Sequence, residues 1–183
     1  MKATAMVFAP GYEEVEALTV VDLLRRAGIR CDIISLNGER EVESSHGVAL
    51  RADKLFDETD WSAYDGLLLP GGQPGTTNLG NDERVLSQLR AFRDAGRLTA
   101  AICAAPTVLA KAGILHGKRA VCYPGLEDRL EGAEALEDPV AVDGTVITSR
   151  GVGTAIPFAL AIVAYYLGQA RAEELARAIV YPM

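Results

Sequence analysis

Short apolar runs alternate along this chain with segments of helical periodicity. The predicted strands are residues 3–8, 31–36, 67–69, 98–102 and 119–122, together with a hairpin over residues 140–148. The predicted helices carry apolar stripes at Ala17, Val20, Val21 and Leu24, at Val85, Leu89 and Phe92, along Pro106 to Ala112, and at Phe158, Ala161, Ile162, Tyr165 and Tyr166. Strands that alternate with helices at this spacing predict a mostly parallel sheet with helices on both faces.

Turn and cap residues separate these segments. Gly28, Gly96 and Gly113 follow the first three apolar stripes as natural helix ends, and Asp82 is placed as an N-cap. Alternation over residues 42–53 predicts a small antiparallel excursion. The pattern contains no repeat or linker, so we expect one domain over residues 1–183.

Composition and net charge restrict the classes of function that this chain can have. The chain has 183 residues, of which 49% are hydrophobic and 23% charged, as in a folded globular domain. Its net charge of -7 argues against a nucleic-acid partner, which needs a clustered basic face. A neutral or electrophilic small molecule is the more natural partner.

The sequence carries no clear signal for membrane insertion, secretion, a structural metal site or a disulfide framework. The longest apolar run, Ala155 to Leu167, is shorter than the ~20 residues of a membrane span, so we expect no membrane partner. The amino-terminal residues lack a signal-peptide pattern, which favours a cytoplasmic location. Three cysteines and two histidines offer no closely spaced zinc-ligand pair, so we expect no structural metal and no obligatory disulfide.

Cys103 is the main candidate for chemistry. It lies where the strand over residues 98–102 gives way to a helix, between small residues that permit a tight reversal, and this layout is typical of a nucleophile elbow. At a helix start, we expect the thiol pKa to be lowered toward neutrality. The alternative is a small buried core residue, which we favour for Cys31 and Cys122 because they fall inside strand patterns.

Glu16 and the Gly71-Gly72 pair complete the candidate site. Glu16 opens the first helix directly after the first strand, so it shares a sheet edge with Cys103. A protonated Glu16 can donate a hydrogen bond to sulfur and later move a proton to substrate. Gly71 and Gly72 allow backbone N–H groups to approach an oxyanion. The alternative for Glu16 is an acidic residue that merely complements the helix start. The alternative for Gly71 and Gly72 is an ordinary turn.

Four motifs in order resemble the ThiJ/PfpI superfamily, and within it the subgroup of DJ-one and YajL, over nearly the whole chain. They are Gly11-Tyr12-Glu13-Glu14-Val15-Glu16 with Asp22, Leu68-Leu69-Pro70-Gly71-Gly72, Ala100-Ala101-Ile102-Cys103-Ala104-Ala105-Pro106, and Thr148-Ser149-Arg150-Gly151-Val152-Gly153-Thr154. The resemblance implies a flavodoxin-like three-layer sandwich, similar to class I glutamine amidotransferases, and a homodimer. It also implies Cys103 as an oxidisable nucleophile, Glu16 as its protonated partner, and the N–H groups of Gly72 and Ala104 as oxyanion donors beside Gly71.

Two departures from the family pattern qualify this resemblance, namely Tyr123 and Val152, the latter where the family commonly has proline. Tyr123 precedes Pro124 where the DJ-one subgroup has a histidine, and a phenol with a pKa near ~10 cannot replace imidazole as a base at neutral pH. Ala104 stands where the family's proteases place a histidine, so we expect no peptidase activity. His46 and His116 are interpreted as solvated or structural.

The resulting hypothesis is a cofactor-independent glyoxalase or deglycase, of lyase or hydrolase type. Its expected substrates are methylglyoxal, glyoxal or their early adducts on proteins and nucleotides, in defence against carbonyl and oxidative stress. The alternative is a non-catalytic stress protein, redox-sensing or chaperone-like, that is switched by oxidation of Cys103. A third possibility is a scaffold that lost activity with the histidine.

Overall fold

The computed structural model describes residues 1–182, which fold around one large β-sheet. The strands are, in chain order, β1 (Ala3–Phe8), β2 (Arg30–Ser35), β3 (Glu41–Glu43), β4 (Ala49–Arg51), β5 (Lys54–Leu55), β6 (Gly66–Leu69), β7 (Leu98–Ile102), β8 (Arg119–Ala120), β9 (Glu134–Ala135), β10 (Val140–Asp143) and β11 (Val146–Ser149). The α-helices are α1 (Glu14–Arg26), α2 (Gly75–Asn81), α3 (Glu83–Asp94), α4 (Pro106–Lys111), α5 (Ala155–Leu167) and α6 (Gln169–Ala178).

The central sheet has seven strands in the order β10-β11-β7-β6-β1-β2-β5. Its neighbouring strands pair in parallel, except that β10 and β11 form an antiparallel hairpin. The mostly parallel sheet predicted from the alternation of strands and helices is therefore confirmed.

Both faces of the sheet are covered, which explains why its central strands are apolar without alternation. Every residue of β1 and β7 is buried. On one face the core includes side chains of α1 and α5, namely Val20, Leu24, Phe158 and Ile162. On the other face it includes side chains of α3, namely Val85, Leu89 and Phe92. The result is a three-layer sandwich of helices, sheet and helices.

Most of the predicted strand and helix boundaries agree with the structure to within one residue. The Asp82 side chain accepts a hydrogen bond from the Arg84 backbone N–H and caps α3. Residues 42–53 do contain an antiparallel pair, β3 with β4. Helix α1 ends before Gly28, whose φ of +86° is the left-handed geometry that a glycine adopts without strain.

One predicted strand needs correction, and two helices were not predicted from the sequence. The strand expected over residues 119–122 stops at Ala120, and it pairs with β9 in a separate two-stranded sheet, so Cys122 lies outside a strand. Helix α2 was missed because its sequence, Gly-Thr-Thr-Asn-Leu-Gly-Asn, consists mostly of weak helix formers. Helix α6 was missed because its three buried residues, Ala172, Leu175 and Ala176, form a short and weakly apolar stripe.

The topology brings three loops to one edge of the sheet. Strands β7, β6 and β1 are successive parallel neighbours, so the segments that follow their carboxyl ends lie side by side. These segments carry Cys103, the Gly71-Gly72 pair and Glu16 respectively. Among residues 1–182, none of the helices combines the length and apolarity that crossing a membrane requires.

Candidate active site

Cys103 occupies a strained turn between β7 and α4. Its φ of +66° lies in the left-handed region that side chains other than glycine rarely adopt. Two hydrogen bonds hold this backbone: the Cys103 N–H donates to Ser149 O at 3.0 Å, and Cys103 O accepts from the Tyr123 N–H at 2.7 Å. The geometry is that of the nucleophile elbow expected from the sequence, and it turns the thiol away from the strand.

Glu16 is a fully buried carboxyl in the first turn of α1. Its Oε2 accepts a hydrogen bond from the Gly71 N–H at 3.0 Å. Its Oε1 is also buried and has no nitrogen or oxygen partner within residues 1–182, while the Cys103 thiol interacts with this carboxyl as a sulfur partner. Either partner can donate the hydrogen bond between them: Glu16 when it is protonated, and the thiol when Glu16 is a carboxylate.

Burial raises the pKa of Glu16 from its ordinary value near 4.5 to about 7. Hydrogen bonds with Cys103 and with the Gly71 N–H act in the opposite direction, whereas the charge of Glu13 adds to the rise. Glu16 therefore holds a proton over much of the neutral range, as a proton donor beside sulfur must.

The thiol differs from the sequence prediction. Burial, followed by the nearby Glu16 carboxylate, raises the pKa of Cys103 to about 12, where the helix start was expected to lower it. The backbone N–H groups of Ala104 and Gly72 do act on the sulfur and lower its pKa, but burial outweighs them. Because each anion disfavours the other, the pair carries one negative charge at most near neutral pH, and a thiolate can form only when its proton passes to Glu16.

The absence of side chains at Gly71 and Gly72 allows Glu16 and Cys103 to lie close together. A Cβ at Gly71 would lie 2.5 Å from Glu16 Oε2 and 3.1 Å from Cys103 Sγ, so any side chain there would separate the two groups. Gly72 has a φ of +91°, and a Cβ there would lie 2.3 Å from the Glu13 backbone nitrogen. Both glycines are required by contacts of the site and not merely by a turn.

Glu16, Gly72 and Cys103 line a cavity of about 550 Å³. It is lined by Glu13, Glu16, Gly72, Cys103, Tyr123, Pro124, Arg150, Gly151, Val152, Gly153 and Thr154. Tyr123 is half exposed at the rim, in the place where the resemblance implies a histidine. A cavity of about 620 Å³ beyond the carboxyl ends of β1 and β2 is larger, but no cysteine or histidine lines it, so the Cys103 cavity is the candidate for nucleophilic chemistry.

Sequence reasoning missed Glu13 and Arg150 as residues of this cavity. For Glu13 the available signal was its place in the first motif, between the end of β1 and the start of α1, at the same sheet edge as Glu16. For Arg150 the available signal was its place in the fourth motif, directly after β11, which pairs in parallel with β7.

The remaining cysteines and histidines lie outside the cavity lining. Cys31 and Cys122 are buried, and burial raises the pKa of each thiol to about 11. The His46 Nδ1 lies 2.9 Å from Glu14 Oε1 on an exposed loop. Glu13, Glu14 and His46 bring candidate ligand atoms within 4.8 Å of one another, although the sequence offered no metal motif here.

The raised pKa of Glu16 leads to a test by unfolding. Between the unfolded value near 4.5 and the folded value of about 7, the folded protein binds the extra proton, so wild-type stability falls as pH rises through this range. Glu16→Gln removes this loss, and the variant should gain roughly 2–3 kcal/mol relative to wild type on going from pH 5 to pH 8. Urea unfolding at several pH values measures the difference. Glu41→Gln, at an exposed position of β3, is the control and should show no such gain.

Comparisons with known proteins agree with the geometry. The DJ-1/PfpI family profile matches residues 1–165. The chain is 39% identical over 181 residues to Protein dj-1beta of Drosophila melanogaster, covering 98% of this chain and 97% of that protein. It is 32% identical over 142 residues to Deglycase PH1704 of Pyrococcus horikoshii, covering 76% of this chain and 84% of that protein.

A solved structure extends the likeness to three dimensions. The structure described as oxidized Toxoplasma gondii DJ-1 superposes with a TM-score of 0.96 at 33% identity, and the match covers 100% of both chains. The flavodoxin-like sandwich implied by the sequence motifs is thereby confirmed. The chain belongs to the DJ-1/PfpI family.

Proposed function

We propose that the protein is a cytoplasmic, cysteine-dependent and cofactor-independent glyoxalase or deglycase. Its substrates are small reactive carbonyl compounds, namely methylglyoxal, glyoxal or their early adducts on proteins and nucleotides. The observation that carries this proposal is the buried Glu16 carboxyl, with a pKa raised to about 7, against the sulfur of Cys103. The relative named a deglycase supports the same chemistry.

The reaction begins with attack of sulfur on the aldehyde. Glu16, as a carboxylate, takes the proton of the Cys103 thiol as the sulfur bonds to the aldehyde carbon, and it then donates that proton to the aldehyde oxygen, which gives a hemithioacetal. The N–H groups of Gly72 and Ala104, which already act on the sulfur, lie where they can stabilise oxyanions of the reaction.

Isomerisation then uses Glu16 a second time. As a carboxylate, Glu16 removes the proton from the former aldehyde carbon and returns it to the adjacent carbon, while the hydroxyl proton passes between the two oxygens. From methylglyoxal this yields a lactoyl thioester on Cys103. Addition of water releases lactate and the thiolate, so the overall reaction is methylglyoxal plus water to lactic acid.

Lactate formation from methylglyoxal tests the proposal. Cys103→Ala should reduce the rate to the uncatalysed background, because the covalent intermediate cannot form. Glu16→Gln should reduce kcat by about 10²–10⁴-fold, since an amide cannot shuttle the proton. Cys31→Ala removes a buried thiol away from the cavity and should keep the activity. Equal rates for wild type and Cys103→Ala would reject the proposal.

A redox-sensing or chaperone-like role is the second candidate. Two N–H groups and the protonated Glu16 around the sulfur would also stabilise a sulfinate, and the solved structure of Toxoplasma gondii DJ-1 is described as oxidized. Two equivalents of peroxide would be reduced to water as the thiol becomes the sulfinic acid.

Mass spectrometry after mild peroxide treatment separates the two roles. The redox role requires that Cys103 gains two oxygens selectively, ahead of the buried Cys31 and Cys122, and that the protein turns over none of the aldehydes. Oxidation spread over all three thiols would contradict it. Aldehyde turnover by the reduced protein would favour the enzyme.

We propose in addition that the protein is a homodimer. The proposal comes from the family resemblance, and the exposed apolar side chains of Val15 and Leu18, three residues apart on α1, support it. Size-exclusion chromatography with light scattering should give twice the chain mass of 19.5 kDa. A mass of one chain at micromolar concentration would contradict the dimer.

A further inference from the structure

The carboxylate of Glu13 lies on the wall of the same cavity as Glu16 and Cys103. Its side chain is only 12% exposed, so it faces the interior of the site more than bulk solvent. Among residues 1–182, the other ionisable side chains on this wall besides the Glu16–Cys103 pair are Tyr123 and Arg150, and neither phenol nor guanidinium is an effective base at neutral pH. Glu13 is therefore the available second proton acceptor.

Glu13 is held in a defined position. Its Oε1 accepts a hydrogen bond from the Val15 N–H at 3.2 Å, its Oε2 accepts from Ser45 Oγ at 3.5 Å, and its backbone N–H donates to Gly71 O at 2.9 Å. His46 Nδ1 lies 3.6 Å from Oε2. No lysine or arginine within residues 1–182 forms an ion pair with this carboxylate, so its Oε2 stays available for a proton.

The hydrolysis step of the proposed reaction releases more protons than Glu16 can accept. After isomerisation, Cys103 is acylated and Glu16 is a carboxylate that can take one proton. Attack of water on the thioester, with release of lactate and thiolate, frees two protons, so a second base is needed to remove one of them from the attacking water. In families with a histidine near the nucleophile, an imidazole is available for such a step, but here Tyr123 occupies that position.

We infer that Glu13 is a second catalytic residue, the general base that activates the water which hydrolyses the acylated Cys103; this inference rests on the proposed function. The water oxygen bonds to the thioester carbon as one water proton passes to Glu13. The C–S bond then breaks and its electron pair leaves as the Cys103 thiolate. The proton of the new carboxyl group returns to Glu16, and Glu13 releases its proton to solvent.

The environments of the two carboxyls match these different roles. Glu16 is fully buried, whereas the Glu13 side chain is 12% exposed and can therefore exchange a proton with solvent. The negative charge of Glu13 is also among the causes that raise the pKa of Glu16. Two carboxyls whose surroundings differ in this way are a common means of dividing acid and base functions within one site.

Glu13→Gln tests the inference with little change in structure, because the glutamine oxygen can still accept from the Val15 N–H. We expect kcat for lactate formation to fall by about 10²–10⁴-fold. The rate of Cys103 acylation should stay close to that of wild type, so the lactoyl thioester should accumulate and be seen by mass spectrometry of the quenched protein. Added small thiol should restore turnover, since it takes the acyl group without base-activated water.

Glu14→Gln is the matched control. Glu14 is adjacent in sequence, carries the same charge and contacts His46 at 2.9 Å, but it does not line the cavity. Its variant should form lactate within about twofold of wild type, because the base of the reaction is retained. All assays contain a chelator, so that a cation held by Glu13, Glu14 and His46 cannot supply the activity.

The outcomes separate the inference from the proposed function. Wild-type protein that forms no lactate overturns both. Wild-type activity in Glu13→Gln, or a loss of activity without accumulated thioester, overturns the inference alone. If Glu13→Gln fails to fold, Glu13→Ser keeps an N-cap acceptor without the carboxylate and must show the same accumulation and the same rescue by thiol.

Discussion

A carboxyl group buried against a thiol is the constraint on which the rest of the structure depends. Transfer of an isolated carboxylate out of water is costly, and a protein avoids that cost by keeping the group neutral or by supplying hydrogen bonds. Glu16 receives one backbone hydrogen bond, from Gly71, and otherwise retains its proton. The same proton can be shared with the sulfur of Cys103, so the feature that is expensive for folding is also the source of reactivity. The absence of a side chain at Gly71 is what lets the two groups meet.

The fold converts this pairing into a site by placing several loops at one edge of the sheet. β1, β6 and β7 are adjacent and buried, and each ends in a segment that contributes one part: an acid, a pair of glycines and a nucleophile. The turn at Cys103 is conformationally unfavourable in itself, and hydrogen bonds to Ser149 and Tyr123 on neighbouring segments hold it. The position of the thiol is thus determined by tertiary contacts from both sides of the elbow.

Much of this arrangement could be predicted from the sequence, because it depends on local signals. The apolar runs of β1 and β7 mark buried strands, and parallel strands place the residues after them at one edge, which brings Glu16 and Cys103 together. The pKa of the Cys103 thiol could not be predicted in the same way. Position at a helix start lowers a pKa, but the depth of burial and the neighbouring carboxylate raise it more, and neither is visible in a linear pattern. Likewise, the short strand β8 ends where its pairing with β9 ends, and this partner lies distant in sequence.

The residues of the site lie far apart in the sequence, so they are synthesised at different times. Glu16 leaves the ribosome well before Cys103, and the hydrogen bond that fixes the Cys103 backbone comes from Ser149, which is synthesised later still. A nascent chain that lacks its carboxyl-terminal part therefore has the thiol without the turn that presents it. The geometry that presents the thiol to a substrate is therefore completed only after the segment that contains Ser149 has been synthesised.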